Sequence, residues 1–121
     1  MGLDMYALTL NRTPEQSVDF AAEDAAPIHY WRKHPNLHGW MERLYRRKGG
    51  TAPEFNCATL LLTGEDLDAL EEAIRAGSLP PTCGFFFGAS DGSEREDDLS
   101  FIAKAREAQA AGLSVAYSSW W

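Results

Sequence analysis

The chain has few cysteines, no long apolar run and fewer basic than acidic residues, and each of these features argues against a class of protein. Its two cysteines, Cys57 and Cys83, lie far apart without C-x-x-C spacing, so we expect two buried thiols in a reducing compartment rather than a disulfide scaffold. No segment is long and apolar enough to predict a transmembrane helix, and the first residues lack the basic and apolar stretches of a signal peptide. We therefore expect a cytoplasmic protein.

Acidic residues outnumber basic ones by 18 to 11, which gives a net charge of −7. Nucleic acids and anionic membranes attract positively charged surfaces, so binding to either over the whole surface is disfavoured, although a local basic patch stays open. The partners that remain are a protein, a small polar ligand or a second copy of the chain. No cofactor is predicted, because no lysine follows the glycines as it does in a nucleoside-triphosphate loop.

The chain does have enough apolar residues, 45% of 121, to form one domain over residues 1–121. Apolar and alternating stretches predict strands at residues 2–10, 55–62, 85–87 and 113–121. Helical periodicity predicts helices at residues 35–48, 63–77 and 94–111, the first with one apolar stripe. This βαβαβαβ order predicts a mixed α/β domain, with about three helices packed on a central mixed sheet that includes parallel pairs. A two-layer α+β fold is the alternative.

Thr63 with Asp66 predicts a capping box at the start of the second helix, Gly77 ends it, and Gly39 weakens the first helix slightly. The predicted apolar side of the third helix comprises Leu99, Ile102, Ala103 and Ala110.

The triple phenylalanine at residues 85–87, between Gly84 and Gly88, predicts the middle strand of the sheet, buried on both faces. The loop that follows, residues 88–92, precedes a helix for which the pattern S-E-R-E predicts Ser93 as the N-cap. A loop of small residues before a helix can present backbone N–H groups to a ligand.

Carboxylates crowd the start of that helix, at Asp91, Glu94, Glu96, Asp97 and Asp98. The positive end of the helix dipole favours acids in the first turn, and this explains them without any ligand. The same acids argue against a phosphate in the loop.

Aromatic and basic side chains alternate in the block Tyr30-Trp31-Arg32-Lys33. Such a block can stack on a planar ligand or hold an anion. It is equally typical of a strand whose aromatic rings lie in the core and whose cations pair with acids such as Asp4.

His34 and His38 are spaced i, i+4, and this spacing can place two imidazoles on one metal ion. The H-E-x-x-H pattern is absent and a third ligand would have to come from elsewhere. We therefore predict no metal site and expect these histidines in the core or in solvent.

Three blocks together resemble a family of small uncharacterised proteins found in bacterial genomes, phages and prophages. They are M-G-L-D-M-Y at residues 1–6, Y-W-R-K followed by L-H-G-W at residues 30–40, and G-F-F-F-G at residues 84–88. The resemblance covers nearly the whole chain. It implies a phage or prophage setting and assigns no activity, cofactor or catalytic residue.

Two functions follow from these patterns. The first is a non-enzymatic binding or accessory protein, since no catalytic set is complete and since aromatic side chains and arginine are common interface anchors. The second is a small enzyme, or a binder of small molecules or anions, with a pocket between residues 30–38 and 88–92. In that pocket Arg32 would hold an anion and His38 would act as acid or base. The candidate binding residues are Tyr30, Trp31, Arg32, Lys33, His38, Ser90 and Asp91.

Overall fold

The computed structural model describes residues 2–84 and 87–121, which form four strands and three helices. In chain order these are β1 (Asp4–Leu10), β2 (Ala26–Arg32), α1 (Pro35–Arg47), β3 (Leu60–Leu62), α2 (Gly64–Ala76), α3 (Arg95–Ala110) and β4 (Ser114–Trp120). The predicted mixed α/β domain of four strands and three helices is confirmed. None of these helices is long and apolar enough to cross a membrane.

The four strands form one sheet in the order β2-β1-β4-β3, and every pairing in the described part of the chain is antiparallel. The expectation of parallel pairs is therefore wrong. β1 and β2 are joined by residues 11–25 without a helix between them, so β2 returns alongside β1 in the opposite direction. Beyond β3, Val18 adds an isolated antiparallel bridge to Leu60.

The two middle strands of the described sheet are β1 and β4. Phe85 and Phe86 lie outside the described residues, and Phe87 belongs to no strand although its side chain is buried. Among the described residues no strand lies between α2 and α3, and β2 follows β1 without a helix between them. The strict alternation of strand and helix predicted from the sequence is wrong for this reason.

The helices pack on one face of the sheet and create a two-layer domain. Trp31 of β2 meets Phe101 of α3 edge-on, with 4.8 Å between ring centroids. Tyr117 of β4 bonds His38 of α1, and Leu67 of α2 joins the same core. Side chains alternate along a strand, so the neighbours of these core residues emerge on the opposite face.

The two predicted helix starts have different outcomes. At α2 the capping box is confirmed: Thr63 Oγ1 accepts from the Asp66 N–H at 3.2 Å, and Asp66 accepts from the Thr63 N–H at 2.8 Å. At α3 the prediction is wrong, because the N-cap is Glu94 and no side chain caps it. Both the N–H and the hydroxyl of Ser93 donate instead to Asp91 Oδ1, so Ser93 closes the preceding turn.

The predicted strand at residues 55–62 is confined to its last three residues. Before them, Asn56 donates from Nδ2 to the Trp121 carbonyl and accepts from the Trp121 N–H. The Cys57 N–H donates to the Ser119 carbonyl, and Cys57 itself has a φ of 59°. This left-handed residue interrupts the extended conformation, and the Asn56 side chain ties the segment to the end of β4.

The chain crosses closely over α1 at Gly39. A Cβ placed at this position would lie 1.9 Å from Thr82 Oγ1 and 2.9 Å from Thr82 Cβ. The Thr82 N–H also donates to Asn36 Oδ1 of the same helix at 3.0 Å. Gly39 has a low helix propensity, but its lack of a side chain allows residues 79–83 to pack against α1.

Replacing Gly39 with alanine is expected to destabilise the domain by about 1–2 kcal/mol. Overpacking costs about 1–3 kcal/mol, and the better helix propensity of alanine returns at most about 1 kcal/mol. Gly64→Ala is the matched control, since a Cβ there meets nothing closer than 3.8 Å. Urea unfolding of both variants measures the difference, and equal stabilities would contradict the close approach at Gly39.

Candidate functional site

The two segments that sequence analysis singles out, residues 30–38 and 88–92, do meet. His34, just before α1, has its Nδ1 atom 2.6 Å from Ser90 Oγ. The same hydroxyl accepts from the Asn36 N–H at 3.1 Å. That N–H belongs to the first turn of α1 and has no partner within the helix, so Ser90 caps α1 from a distant loop.

A buried carboxylate completes this cluster. Asp98, which is 2% exposed in the first turn of α3, has Oδ2 2.8 Å from His34 Nε2. Its other oxygen, Oδ1, accepts from the indole N–H of Trp31 at 3.0 Å. An ionised carboxylate only accepts, so His34 Nε2–H donates to Asp98, while Nδ1 lies within hydrogen-bond distance of the Ser90 hydroxyl. The cluster thus connects β2, α1, the loop and α3.

Serine, histidine and aspartate in series resemble a nucleophilic triad, but the surroundings do not fit acyl transfer. Ser90 Oγ already accepts a backbone hydrogen bond, which draws electron density from the atom that would attack. The next two backbone N–H groups, of Asp91 and Gly92, donate to the Glu94 carboxylate at 3.2 and 3.0 Å. Glu94 therefore occupies the donors that an oxyanion or a phosphate would need. The hydrogen-bonded cluster of Trp31, His34, Ser90 and Asp98, called the latch below, instead holds the loop of residues 88–92 to the helices.

A cleft of about 570 Å³ lies beside this latch. Residues of both predicted segments line it, including His34, Asn36, Ser90 and Asp91. Arg95 contributes a cation. Arg32, the predicted anion clamp, and His38, the predicted acid or base, do not line this cleft. The cleft therefore differs from the pocket predicted from the sequence.

His38 lies in the core instead, with its ring packed between those of Phe55 and Phe87. Its Nδ1 atom is 2.6 Å from the hydroxyl of Tyr117, and burial raises the pKa of Tyr117 well above its usual value, so the phenol stays protonated and donates. Burial also lowers the pKa of His38 to about 4, against a hydrogen bond to the Phe55 backbone that raises it. The neutral imidazole of His38 therefore packs as part of the core.

The three histidines each bond to different neighbours. His34 bonds Ser90 and Asp98, and His38 bonds Tyr117. His29 has Nε2 3.1 Å from Asp97 and Nδ1 3.1 Å from the Lys104 ammonium. Within residues 2–84 and 87–121 no three histidine, cysteine, aspartate or glutamate side chains converge as metal ligands would.

The aromatic and basic block is divided between the two faces of the sheet. Trp31 points into the core, whereas Tyr30 and Arg32 emerge on the face without helices, called the open face below. On this open face, paired residues form two rows across β2, β1 and β4. The first row is Arg32, Asp4 and Trp120, and the second is Tyr30, Tyr6 and Ser118. Tyr30 is 50% exposed and Trp120 is 66% exposed.

Lys33 turns the chain from β2 towards α1. It has a φ of 56°, and its N–H donates to the Leu3 carbonyl at 2.9 Å. Its side-chain stem lies against Gly88, where a Cβ would come within 2.9 Å of Lys33 Cβ. Lys33 thus supports the contact between the two segments mainly through its stem.

The prediction that both cysteines are buried is wrong. Cys57 and Cys83 are free and exposed. Cys83 lines a groove between α1 and residues 78–83. Residues 78–84 contain two prolines and a glycine and form no helix or strand. Such a segment has no apolar periodicity from which the exposure of the Cys83 thiol could be predicted.

Neither the burial of Asp98 nor the position of Trp120 on the open face is predicted from the sequence. Asp98 was counted among the acids of a helix start, yet the buried face of α3 comprises Asp98, Phe101, Ile102 and Ala105. Its spacing of three, four and seven residues from these apolar neighbours is the signal that could have identified it. Trp120 lies near the end of a predicted strand, and only its pairing with Asp4 assigns it to the open face.

No protein-family model, curated protein or solved structure matches the chain. The resemblance to small proteins of bacteria, phages and prophages therefore stays a prediction. What the fold and the site define is a two-layer α/β domain with a latched loop and an open sheet face.

Proposed function

We propose that the chain is a non-enzymatic accessory protein that binds a protein partner through the open face of its sheet. The observation that carries this proposal is the exposure of two large aromatic side chains, Tyr30 and Trp120, on that one face. Tryptophan and tyrosine are enriched among the residues that dominate binding energy at interfaces.

The energy available from these side chains is large enough to matter. Burying the exposed two thirds of the Trp120 indole removes about 150 Å² from water, worth about 3–4 kcal/mol at about 25 cal/mol/Å². Only part of this appears as affinity, because association also costs translational and rotational freedom. A partner that covers both Trp120 and Tyr30 therefore gains a substantial part of its binding energy from these two side chains.

The open face is also held in shape before any partner arrives. The Tyr30 hydroxyl donates to Asp4 Oδ1 at 2.6 Å, and the Tyr30 and Tyr6 ring centroids are 5.4 Å apart. Aromatic side chains have few rotatable bonds, so fixing them costs little entropy on binding. This favours a dedicated binding surface over a scattered set of exposed rings.

The latch at Ser90 supports a binding role over a catalytic one. Its serine caps a helix and its neighbouring amides are bonded to Glu94. The phage or prophage setting that the sequence resemblance implies makes the proposed partner a protein of the phage or of its bacterial host.

The test compares the wild-type chain with the Tyr30→Thr/Trp120→Thr double variant as baits in a bacterial lysate. Threonine keeps the β propensity of both strands while it removes the aromatic surface. Proteins captured through the open face are expected to be lost with the variant and kept with the Ala69→Ser/Ala76→Ser control, which alters exposed sites on α2.

Equal capture by the wild type and the Tyr30/Trp120 variant would overturn the proposal. Sedimentation of the purified chain identifies the remaining occupant: a dimer that the same double variant converts to a monomer would mean that a second copy, rather than another protein, covers the open face.

A further inference from the structure

A second surface on the opposite layer of the domain carries uncompensated positive charge. It is a groove of about 950 Å³ between α1 and residues 78–83, called the arginine groove below. Three arginines of α1 line it, Arg43, Arg46 and Arg47, and all three are exposed. This concentration is unexpected in a chain with a net charge of −7.

The three arginines are not equivalent. Arg46 donates to the Ala52 carbonyl at 2.6 Å and pairs with Glu42 at 3.4 Å, so it holds the loop that follows α1. Arg43 and Arg47 have no hydrogen bond or ion pair with any residue in the described ranges. Among the described residues that line the groove Glu42 is the one acid, and it is already paired with Arg46. Two guanidinium groups are therefore left for a ligand.

The walls of the arginine groove suit a chain segment rather than a lone ion. Trp40, Pro80 and Pro81 supply apolar surface beside the arginines. The absence of a side chain at Gly39 brings residues 79–83 close to α1 and narrows the groove. Its volume is within the range of sites that enclose a ligand much larger than a phosphate ion.

We infer that the arginine groove binds an extended acidic segment of a protein, with alternate carboxylates on Arg43 and Arg47. Residues four apart on a helix have Cβ atoms about 5–6 Å apart, and alternate residues of an extended strand are about 6.6 Å apart on one face. A guanidinium forms two parallel hydrogen bonds with a carboxylate, which makes this match specific.

A short acidic segment fits the charge of the whole protein better than a nucleic acid does. A nucleic acid is a long polyanion, and its phosphates beyond the groove would be repelled by the rest of the protein, whose net charge is −7. A segment with two or three carboxylates is attracted locally, within a screening length of about 8–10 Å.

The test uses a fluorescein-labelled peptide with aspartate at every second position and alanine between, measured by fluorescence anisotropy. Arg43→Gln/Arg47→Gln is expected to weaken binding about tenfold or more. Arg12→Gln/Arg95→Gln is the matched control, since it makes the same change in net charge at exposed sites outside the groove. This control is expected to change the affinity by less than about twofold, because salt screens the attraction between the peptide and charges outside the groove.

A chemical readout locates the peptide independently. Cys83 lines the arginine groove and Cys57 does not, although both thiols are exposed. Bound peptide is expected to slow alkylation of Cys83 by iodoacetamide and to leave Cys57 unaffected.

The inference is overturned if the aspartate peptide fails to bind, or if both double variants bind it equally. Tighter binding of a labelled single-stranded oligonucleotide than of the peptide would overturn the choice of occupant. Every variant leaves the open face unchanged, so these results are independent of the partner proposed for that face.

Discussion

Replacing Asp98 with alanine is expected to lower the free energy of unfolding by about 3 kcal/mol or more. The variant leaves two buried donors, the Trp31 indole N–H and the His34 ring N–H, without their acceptor. Each unpaired buried donor costs about 1–3 kcal/mol, and the removal of one partner from a buried pair typically costs about 3–5 kcal/mol. This is a large fraction of the stability of a small domain.

The adjacent carboxylate offers a matched control for this prediction. Asp97 lies in the same turn of α3 and bonds His29 at 3.1 Å, but its side chain is 56% exposed. Asp97→Ala loses the same interaction with the helix dipole and is expected to cost less than about 1 kcal/mol. Urea unfolding at neutral pH compares the two variants. Similar losses would mean that the latch contributes little to stability.

Loss of the latch should also release the loop of residues 88–92. The amide of Asn36 is capped by Ser90, whose hydroxyl is positioned by His34 and, through it, by Asp98. In Asp98→Ala we expect faster hydrogen exchange at Asn36, measured under conditions in which the rest of α1 stays protected.

The second large effect is a loss of stability in acid that depends on His38. Its pKa is about 4 in the folded chain, against about 6.5 in the unfolded one. Above pH ~6.5 the imidazole is neutral in both states and the shift has no effect. As the pH falls from there to about 4, the unfolded state takes up the proton first, so folding weakens by about 1.4 kcal/mol per pH unit, to a total of roughly 3 kcal/mol.

The His38→Gln variant isolates this contribution. Glutamine can still accept from the Tyr117 hydroxyl but does not titrate, and the other histidines are unchanged. Between neutral pH and about pH 5 the wild type is expected to lose about 2 kcal/mol more than the variant in urea unfolding. Parallel curves for the two proteins would contradict a buried neutral His38.

Local patterns predicted the helices of this chain well. The apolar stripe of α1, the capping box at Thr63 and the glycine that ends α2 are all decided within a few residues. The buried face of α3 is predicted less well, because Ala103 and Ala110 of the predicted apolar side are exposed and Asp98 is buried. Helix periodicity ranks residues by polarity, so a carboxylate bonded by distant donors is assigned to solvent.

The site was harder to predict because its bonds join residues far apart in sequence. His34 and Ser90 are 56 residues apart and His34 and Asp98 are 64 residues apart. Sequence analysis named His38 as the acid–base group and Arg32 as the clamp, but the alternation of β2 directs Arg32 to the open face. The sequence predicts His34 in the core or in solvent, without indicating its bonds to Ser90 and Asp98.

By itself the sequence determined the three helices, the strands β1, β3 and β4, and an excess of acidic residues. These follow from periodicity, capping and charge, which act over a few residues. Only the tertiary structure decided that the sheet is antiparallel, that Asp98 is buried, and that Tyr30 and Trp120 share an open face. Strand pairing and the burial of a charge depend on partners brought from distant parts of the chain, and no local pattern encodes those partners.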